Sequence, residues 1–159
     1  MNPTKVFIHG LESSSQGAKG LFFKEKFPDM IVEDFSGTFE KRMDTLNHLL
    51  LKKKELILVG SSYGGLMAAV YTFNNELKVR KLILLAPALN LEEFNPYLNK
   101  KSNIPVTIYH GRHDDVVPPE SVRDAARKVF TDHQHHLVED DHSLHDTFKS
   151  MNWEKLLNL

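Results

Sequence analysis

Cysteine is absent from the 159-residue chain, which excludes disulfides, thiolate metal sites and a cysteine nucleophile. No apolar run approaches the ~20 residues that a membrane helix needs, so no membrane role is expected. Excess charge of either sign is also missing: the formal net charge is −1 with histidines neutral, and the basic runs Lys52-Lys53-Lys54 and Lys100-Lys101 are short and separated. A nucleic-acid footprint needs a concentrated basic patch, so no nucleic-acid partner is expected. Lys52 to Lys54 read instead as a solvated helix end whose cations suit the C-terminal dipole. The opening MNPTKVFIHG lacks the basic region, apolar core and small-residue cleavage site of a secretory signal, which leads us to expect a cytoplasmic protein. Nine histidines are present, but HExxH is not, and His133, His135 and His136 read as polar residues on or before an edge strand. Gly10, Gly17 and Gly20 form neither G-x-G-x-x-G nor a G-K-[ST] ending. Neither metal, nucleotide nor other cofactor is expected.

What remains is an ordinary globular composition of a length that suits one domain, residues 1–159. Strand-length apolar runs recur at Lys5–His9, Met30–Phe35, Leu56–Val59, Leu82–Leu85, Val106–Tyr109 and, more weakly, His135–Val138. The third and fourth are continuously apolar, as parallel strands covered on both faces require. Helical segments lie between the runs, at Ala18–Phe27, Phe39–Lys53, Tyr63–Asn75 and Pro119–Phe130, with a C-terminal stretch from His145 to Leu157. Leu91–Phe94 suggests a further short helix. Phe22, Phe23, Phe27 and Phe35 read as core or cleft walls, and Met67 to Val70 as the buried face of the third helix. This alternation predicts an α/β three-layer sandwich around a six-stranded parallel sheet with right-handed crossovers. Its working groups should lie beyond the carboxyl ends of the strands.

Those ends carry a pattern. Gly60-Ser61-Ser62-Tyr63-Gly64 matches G-x-S-x-G between a buried strand and a helix, and only Ser62 fits the serine position. A strand turning sharply into a helix holds its apex residue in strained geometry, and neighbours without a Cβ leave room for the turn. Ser62 then projects outward, and the amide of Tyr63, at the helix start, faces the same side. A serine hydroxyl is a weak nucleophile until a base takes its proton. Candidate partners follow the fifth run, in His110-Gly111-Arg112-His113-Asp114-Asp115, and the sixth, in Glu139-Asp140-Asp141-His142-Ser143-Leu144-His145. His110 and His113 flank the acids, and His113 stands where it would line a site.

The serine, acid, histidine order along the chain, together with these motifs, resembles a small α/β-hydrolase over nearly the whole sequence. His9-Gly10-Leu11-Glu12-Ser13-Ser14-Ser15 is similar to the opening of small bacterial esterases of the YqiA type. Gly111-x-x-Asp114-x-x-Val117-Pro118 resembles the family's acid loop, which implies Asp114 rather than Asp115 as the acid. Asp140-Asp141-His142-Ser143 resembles its histidine loop, implying His142 as the base with His145 as the rival. Leu11 and Tyr63 are implied as backbone N–H donors to an oxyanion, and the strand order as 2-1-3-4-5-6. No insertion is long enough for a cap domain, so a minimal capless member is expected.

The implied activity is a carboxylesterase cleaving small acyl esters through an acyl-Ser62 intermediate. A small-molecule ester or thioester is its expected partner, and a monomer the expected state, with oligomers left open. The missing cap predicts a shallow cleft and short-chain preference. Three other readings stand beside it: an acyl-thioesterase, a non-catalytic binding protein on the same scaffold, and a histidine-dependent metallohydrolase, which the spacing disfavours. The catalytic histidine predicts kcat/KM rising through roughly pH 6 to 7.5.

Overall fold

The computed structural model describes residues 2–159; Met1, which the expected unit 1–159 includes, lies outside them. Six strands, β1 (Thr4–Ile8), β2 (Ile31–Val32), β3 (Leu56–Ser61), β4 (Val79–Leu85), β5 (Val106–Gly111) and β6 (His133–Val138), form one sheet in the order β2-β1-β3-β4-β5-β6. Every pairing is parallel. The helices between them are α1 (Ala18–Lys26), α2 (Phe39–Leu49), α3 (Tyr63–Asn74), α4 (Pro119–Val129), α5 (His145–Ser150) and α6 (Trp153–Leu156). The expected architecture and strand order are both present. No helix of the described residues is long and apolar enough to cross a membrane.

The continuously apolar strands bury side chains on both faces. Leu56 and Leu58 of β3 join one cluster with Leu82, Leu84, Leu66 and Tyr71. Ile57 and Val59 point the other way and pack with Phe23, Phe148 and Trp153. Phe23, at the centre of that second layer, meets Phe148 and Trp153 edge-on with ring centroids 5.5 and 4.9 Å apart. Phe22 and Phe27 pack at the border of this layer, Phe35 falls in the first, and Met67 to Val70 are buried as expected.

The departures from the sequence reading in β2, α2 and the C-terminal stretch each have a local reason. β2 is two residues long rather than the six of Met30–Phe35. Beyond Val32 the chain is committed elsewhere: the Phe35 N–H donates to His9 Nε2 (2.9 Å), and the Asp34 carboxylate accepts the Ser15 N–H (2.7 Å). α2 stops at Leu49, not Lys53. Lys52 to Lys54 therefore lie past the helix; the cation closing it is Lys78, whose Nζ donates to the carbonyls of Leu50 (2.7 Å) and Leu51 (3.1 Å). The C-terminal stretch is broken at Met151-Asn152, where Met151 is extended and Asn152 caps α6 by accepting the Lys155 N–H (3.1 Å). Leu91–Phe94 leads into a 3-10 helix, Glu92–Tyr97, inside the β4–β5 connection. That connection forms one wall of the site, and no cap domain is inserted among the described residues.

Candidate active site

Ser62 sits between β3 and α3 with φ 55° and ψ −113°, a backbone region that a residue with a Cβ rarely enters. The strain is held by its own peptide groups. Its N–H donates to the Leu85 carbonyl (2.8 Å), and its carbonyl accepts from Ala88 (2.9 Å), Gly65 (3.0 Å) and Leu66 (3.2 Å). Glycine is required at position 64 because the first turn of α3 abuts the end of β1: a Cβ there would lie 2.5 Å from the His9 carbonyl oxygen. The elbow is thereby pressed against the loop that follows β1, where a Cβ added at Gly10 would lie 3.5 Å from that of Ser62.

Three side chains from three strand ends meet here. His142 Nε2 lies 3.0 Å from Ser62 Oγ, and His142 Nδ1 lies 2.7 Å from Asp114 Oδ2. The Asp114 side chain is fully buried, while that of His142 keeps 24 % of its surface exposed, as a group facing a ligand cleft must. Burial acts to raise the pKa of Asp114. It is outweighed by the His142 hydrogen bond and the N–H groups of Val117 and Val116, both 2.8 Å from Oδ1, so the net shift is downward and the group is a carboxylate. A carboxylate only accepts. His142 Nδ1 must therefore carry a proton, leaving Nε2 free to accept the Ser62 hydroxyl proton.

The rival positions lie elsewhere. Asp115 is exposed and bonds neither histidine. His145 opens α5 on the surface, its N–H reaching Asp141 Oδ1 at 3.4 Å. His113 does not line the cleft: it is exposed and pairs with Glu139 (2.8 Å). His133, His135 and His136 lie on edge strand β6. Among the described residues no group of three histidine, aspartate or glutamate side chains is placed to hold a metal ion.

Leu11 and Tyr63 both line the cleft beside Ser62. Among the described residues, neither of their N–H groups has an acceptor within the chain. The peptide between Gly10 and Leu11 is oriented by His9, a role not foreseen from the sequence. Because His9 Nε2 accepts from Phe35, its Nδ1 bears the proton and donates to the Gly10 carbonyl (2.7 Å), which also accepts from Ser13 (3.2 Å). In a planar trans peptide the N–H points opposite to the C=O, so holding that carbonyl back turns the Leu11 N–H outward.

Two further residues support the site, Asp140, legible in the sequence only as part of the histidine loop, and Lys19, legible only as part of a helical segment. Asp140 anchors the histidine loop, its carboxylate accepting the N–H groups of Asp141 (2.8 Å), Thr147 (2.8 Å) and Asp146 (3.1 Å). Burial alone would raise its pKa, but these bonds outweigh it and hold the group down at about 2. Lys19 of α1 bridges to the same loop, donating to the Ser143 carbonyl (2.6 Å), and burial lowers its pKa.

The cleft has a volume of about 520 Å3 and walls that are mainly apolar, among them Phe7, Leu11, Ala88, Leu91, Val116 and Val117. That volume falls within the range of small-molecule sites. Its rim remains open to solvent: Leu11 is 50 % and Val116 64 % exposed.

A profile of the serine aminopeptidase S33 family matches residues 9–102. None of the curated proteins compared matches the sequence significantly. Among solved structures, α/β hydrolase domain-containing protein 10 from mouse is 21 % identical with a TM-score of 0.78, the match covering 93 % of this chain and 85 % of that one. Est1E from Butyrivibrio proteoclasticus is 17 % identical with a TM-score of 0.79, covering 98 % and 86 %. The monoacylglycerol lipase of Paleococcus ferrophilus is 15 % identical with a TM-score of 0.67, covering 98 % and 95 %. At such identities the likeness is one of fold.

Proposed function

Because the chain belongs to the serine aminopeptidase S33 family and has the α/β-hydrolase fold, we propose that it is a serine carboxylesterase acting on small acyl esters. The observation that carries this reading is the hydrogen-bonded line from Ser62 Oγ through His142 to Asp114 Oδ2. His142 Nε2 takes the hydroxyl proton as Ser62 Oγ attacks the ester carbonyl, and Asp114 stabilises the imidazolium that forms. The amides of Leu11 and Tyr63 receive the developing oxyanion, a contribution of roughly 3 kcal/mol per donor where such holes have been dissected. The imidazolium then protonates the departing alkoxide. Water, deprotonated by the same histidine, hydrolyses the acyl-Ser62 ester, and no cofactor enters the cycle.

Esters are favoured over peptides by the cleft. Its wall is mainly apolar, which suits an acyl chain, and although Glu12 offers a carboxylate to a substrate α-ammonium, the Lys19 ammonium lining the same cleft opposes one. The similarity of His9–Ser15 to YqiA-type esterases supports the same choice. Short acyl chains are preferred because carbons beyond the exposed rim at Leu11 and Val116 stay in water and gain little from burial. The enzyme acts as a cytoplasmic monomer on a small-molecule ester, with thioesters of similar size as secondary substrates. The test is a series of p-nitrophenyl esters from acetate to dodecanoate, run beside acyl-CoA thioesters and aminoacyl p-nitroanilides. The proposal expects acetate and butyrate esters to give the highest kcat/KM; faster turnover of the anilides or the dodecanoate would overturn it.

A further inference from the structure

Asp114 is served by two imidazoles, and the mechanism above uses one. The second belongs to His110, the penultimate residue of β5, whose side chain is fully buried. Its Nε2 lies 3.1 Å from Asp114 Oδ2 and 3.0 Å from the Val117 carbonyl oxygen. Both neighbours are acceptors, so Nε2 carries the proton and donates to both. Nδ1 is buried without a partner, and burial, the largest influence on the group, moves its pKa downward. The ring is thus a neutral donor. Packing does not explain it, because an apolar side chain of similar shape would occupy the site without burying an unpartnered nitrogen.

The lone pairs of the carboxylate explain it better. A carboxylate offers about four acceptor positions. Oδ1 takes the N–H groups of Val116 and Val117, and Oδ2 takes His142 Nδ1. The remaining position, in a side chain with no exposed surface, is filled by His110. We propose that His110 is a positioning residue for the Ser62–His142–Asp114 line: its Nε2–H pins Oδ2 on His142 and withdraws charge from it, setting how strongly the carboxylate holds the His142 proton. This inference rests on the proposed serine-hydrolase reading.

Several charged or titratable groups surround the pair. His110 faces Asp114 and His142 across the turns and His135 from β6, ring centroids 6.5 Å apart. Behind His135 stand Arg123 of α4, His133 and His136. Around His142 are the Lys19 ammonium, held on the Ser143 carbonyl, and the carboxylates Asp140 and Asp141. Replacing His110 leaves these side chains in place but changes the surroundings of His135, on which His110 acts directly, so it is rescue by a second N–H donor at position 110 that ties a change in the pH profile to the lost hydrogen bond.

The experiment compares His110→Leu with His110→Gln, whose amide has two N–H groups for the two acceptors. In His110→Leu the carboxylate holds the imidazolium harder and is less well fixed. The acidic limb of kcat/KM for p-nitrophenyl acetate should therefore move up by about 0.5–1 pH unit, and kcat should fall about tenfold. His110→Gln should recover most of both changes. An unmoved limb in His110→Leu, with only thermal stability or the fraction of active sites reduced, overturns the proposal. In 15N-histidine-labelled wild type, which needs no variant to fold, His110 should appear as the Nε2–H tautomer; the Nδ1–H tautomer there also overturns it. Ser62→Ala separates the two levels. Retained turnover in that variant removes the serine-hydrolase reading, whereas lost turnover with an unmoved His110→Leu limb removes the role of His110 alone.

Discussion

Replacement of Gly111 by alanine tests whether the distance between two loops sets the rate. Gly111 closes β5, and the histidine loop crosses directly over it: an added Cβ would lie 2.5 Å from the Asp140 carbonyl oxygen and closer still to that of Asp141. Both are backbone atoms, so no rotamer change relieves the clash. Reaching ordinary van der Waals separation requires the loop to move by roughly 1 Å. His142 rides on that loop, and its 3.0 Å bond to Ser62 Oγ would stretch to about 4 Å, beyond hydrogen-bonding distance. A displacement of that size at a reacting group costs up to about 100-fold in rate, and overpacking of this kind typically costs about 1–3 kcal/mol of stability. The assay is kcat and KM on p-nitrophenyl acetate with urea unfolding of the same preparation. Folded Gly111→Ala should lose kcat by one to two orders of magnitude while KM changes little. Wild-type kcat in a folded variant would refute the reasoning, because the loop would then tolerate a shift that the geometry does not allow.

Asp114→Asn, which can stabilise the wrong imidazole tautomer, should lower kcat by on the order of 10^3 to 10^4 without unfolding the protein, checked by steady-state kinetics beside circular dichroism. Asp140→Ala strands three backbone N–H groups and should cost about 1–3 kcal/mol in urea unfolding. The folded pKa of Asp140, about 2, lies below its unfolded value of about 3.9. Its contribution is therefore present above the unfolded value and lost as pH falls from about 4 toward 2; stability measured across that window should decline less steeply in Asp140→Asn than in wild type. EDTA at millimolar concentration should leave kcat/KM unchanged; loss of activity restored by added metal would contradict a serine mechanism.

The sequence exposes the parts of this account that depend on local chemistry. A continuously apolar β3 running into Gly60-Ser61-Ser62-Tyr63-Gly64 announces both a buried parallel strand and a sharp turn, since few other arrangements use those residues together. The meeting of Ser62, Asp114 and His142 follows once the strand order is known, because each lies just beyond the carboxyl end of its strand on the same rim. The length of β2 could not be read in this way. Met30–Phe35 has the composition of a strand, yet its last residues are claimed by His9 and Ser15, 26 and 19 residues earlier. His110 is hidden for a different reason: its partners Asp114 and Val117 are close along the chain, and it reads as one polar residue among several near the acid until Asp114 Oδ2 is seen to accept two imidazoles. His113, two residues past Gly111 on the other side of Arg112, shows the opposite error: proximity along the chain suggested the cleft, and its Glu139 pairing places it on the surface.

The most direct measurement is the intact mass of the purified protein after treatment with a fluorophosphonate, followed by peptide mapping. A single phosphonyl adduct on Ser62, absent in Ser62→Ala and formed far more slowly in His142→Ala, is the predicted result. An unmodified wild-type mass, or an adduct that persists when Ser62 is alanine, would contradict it.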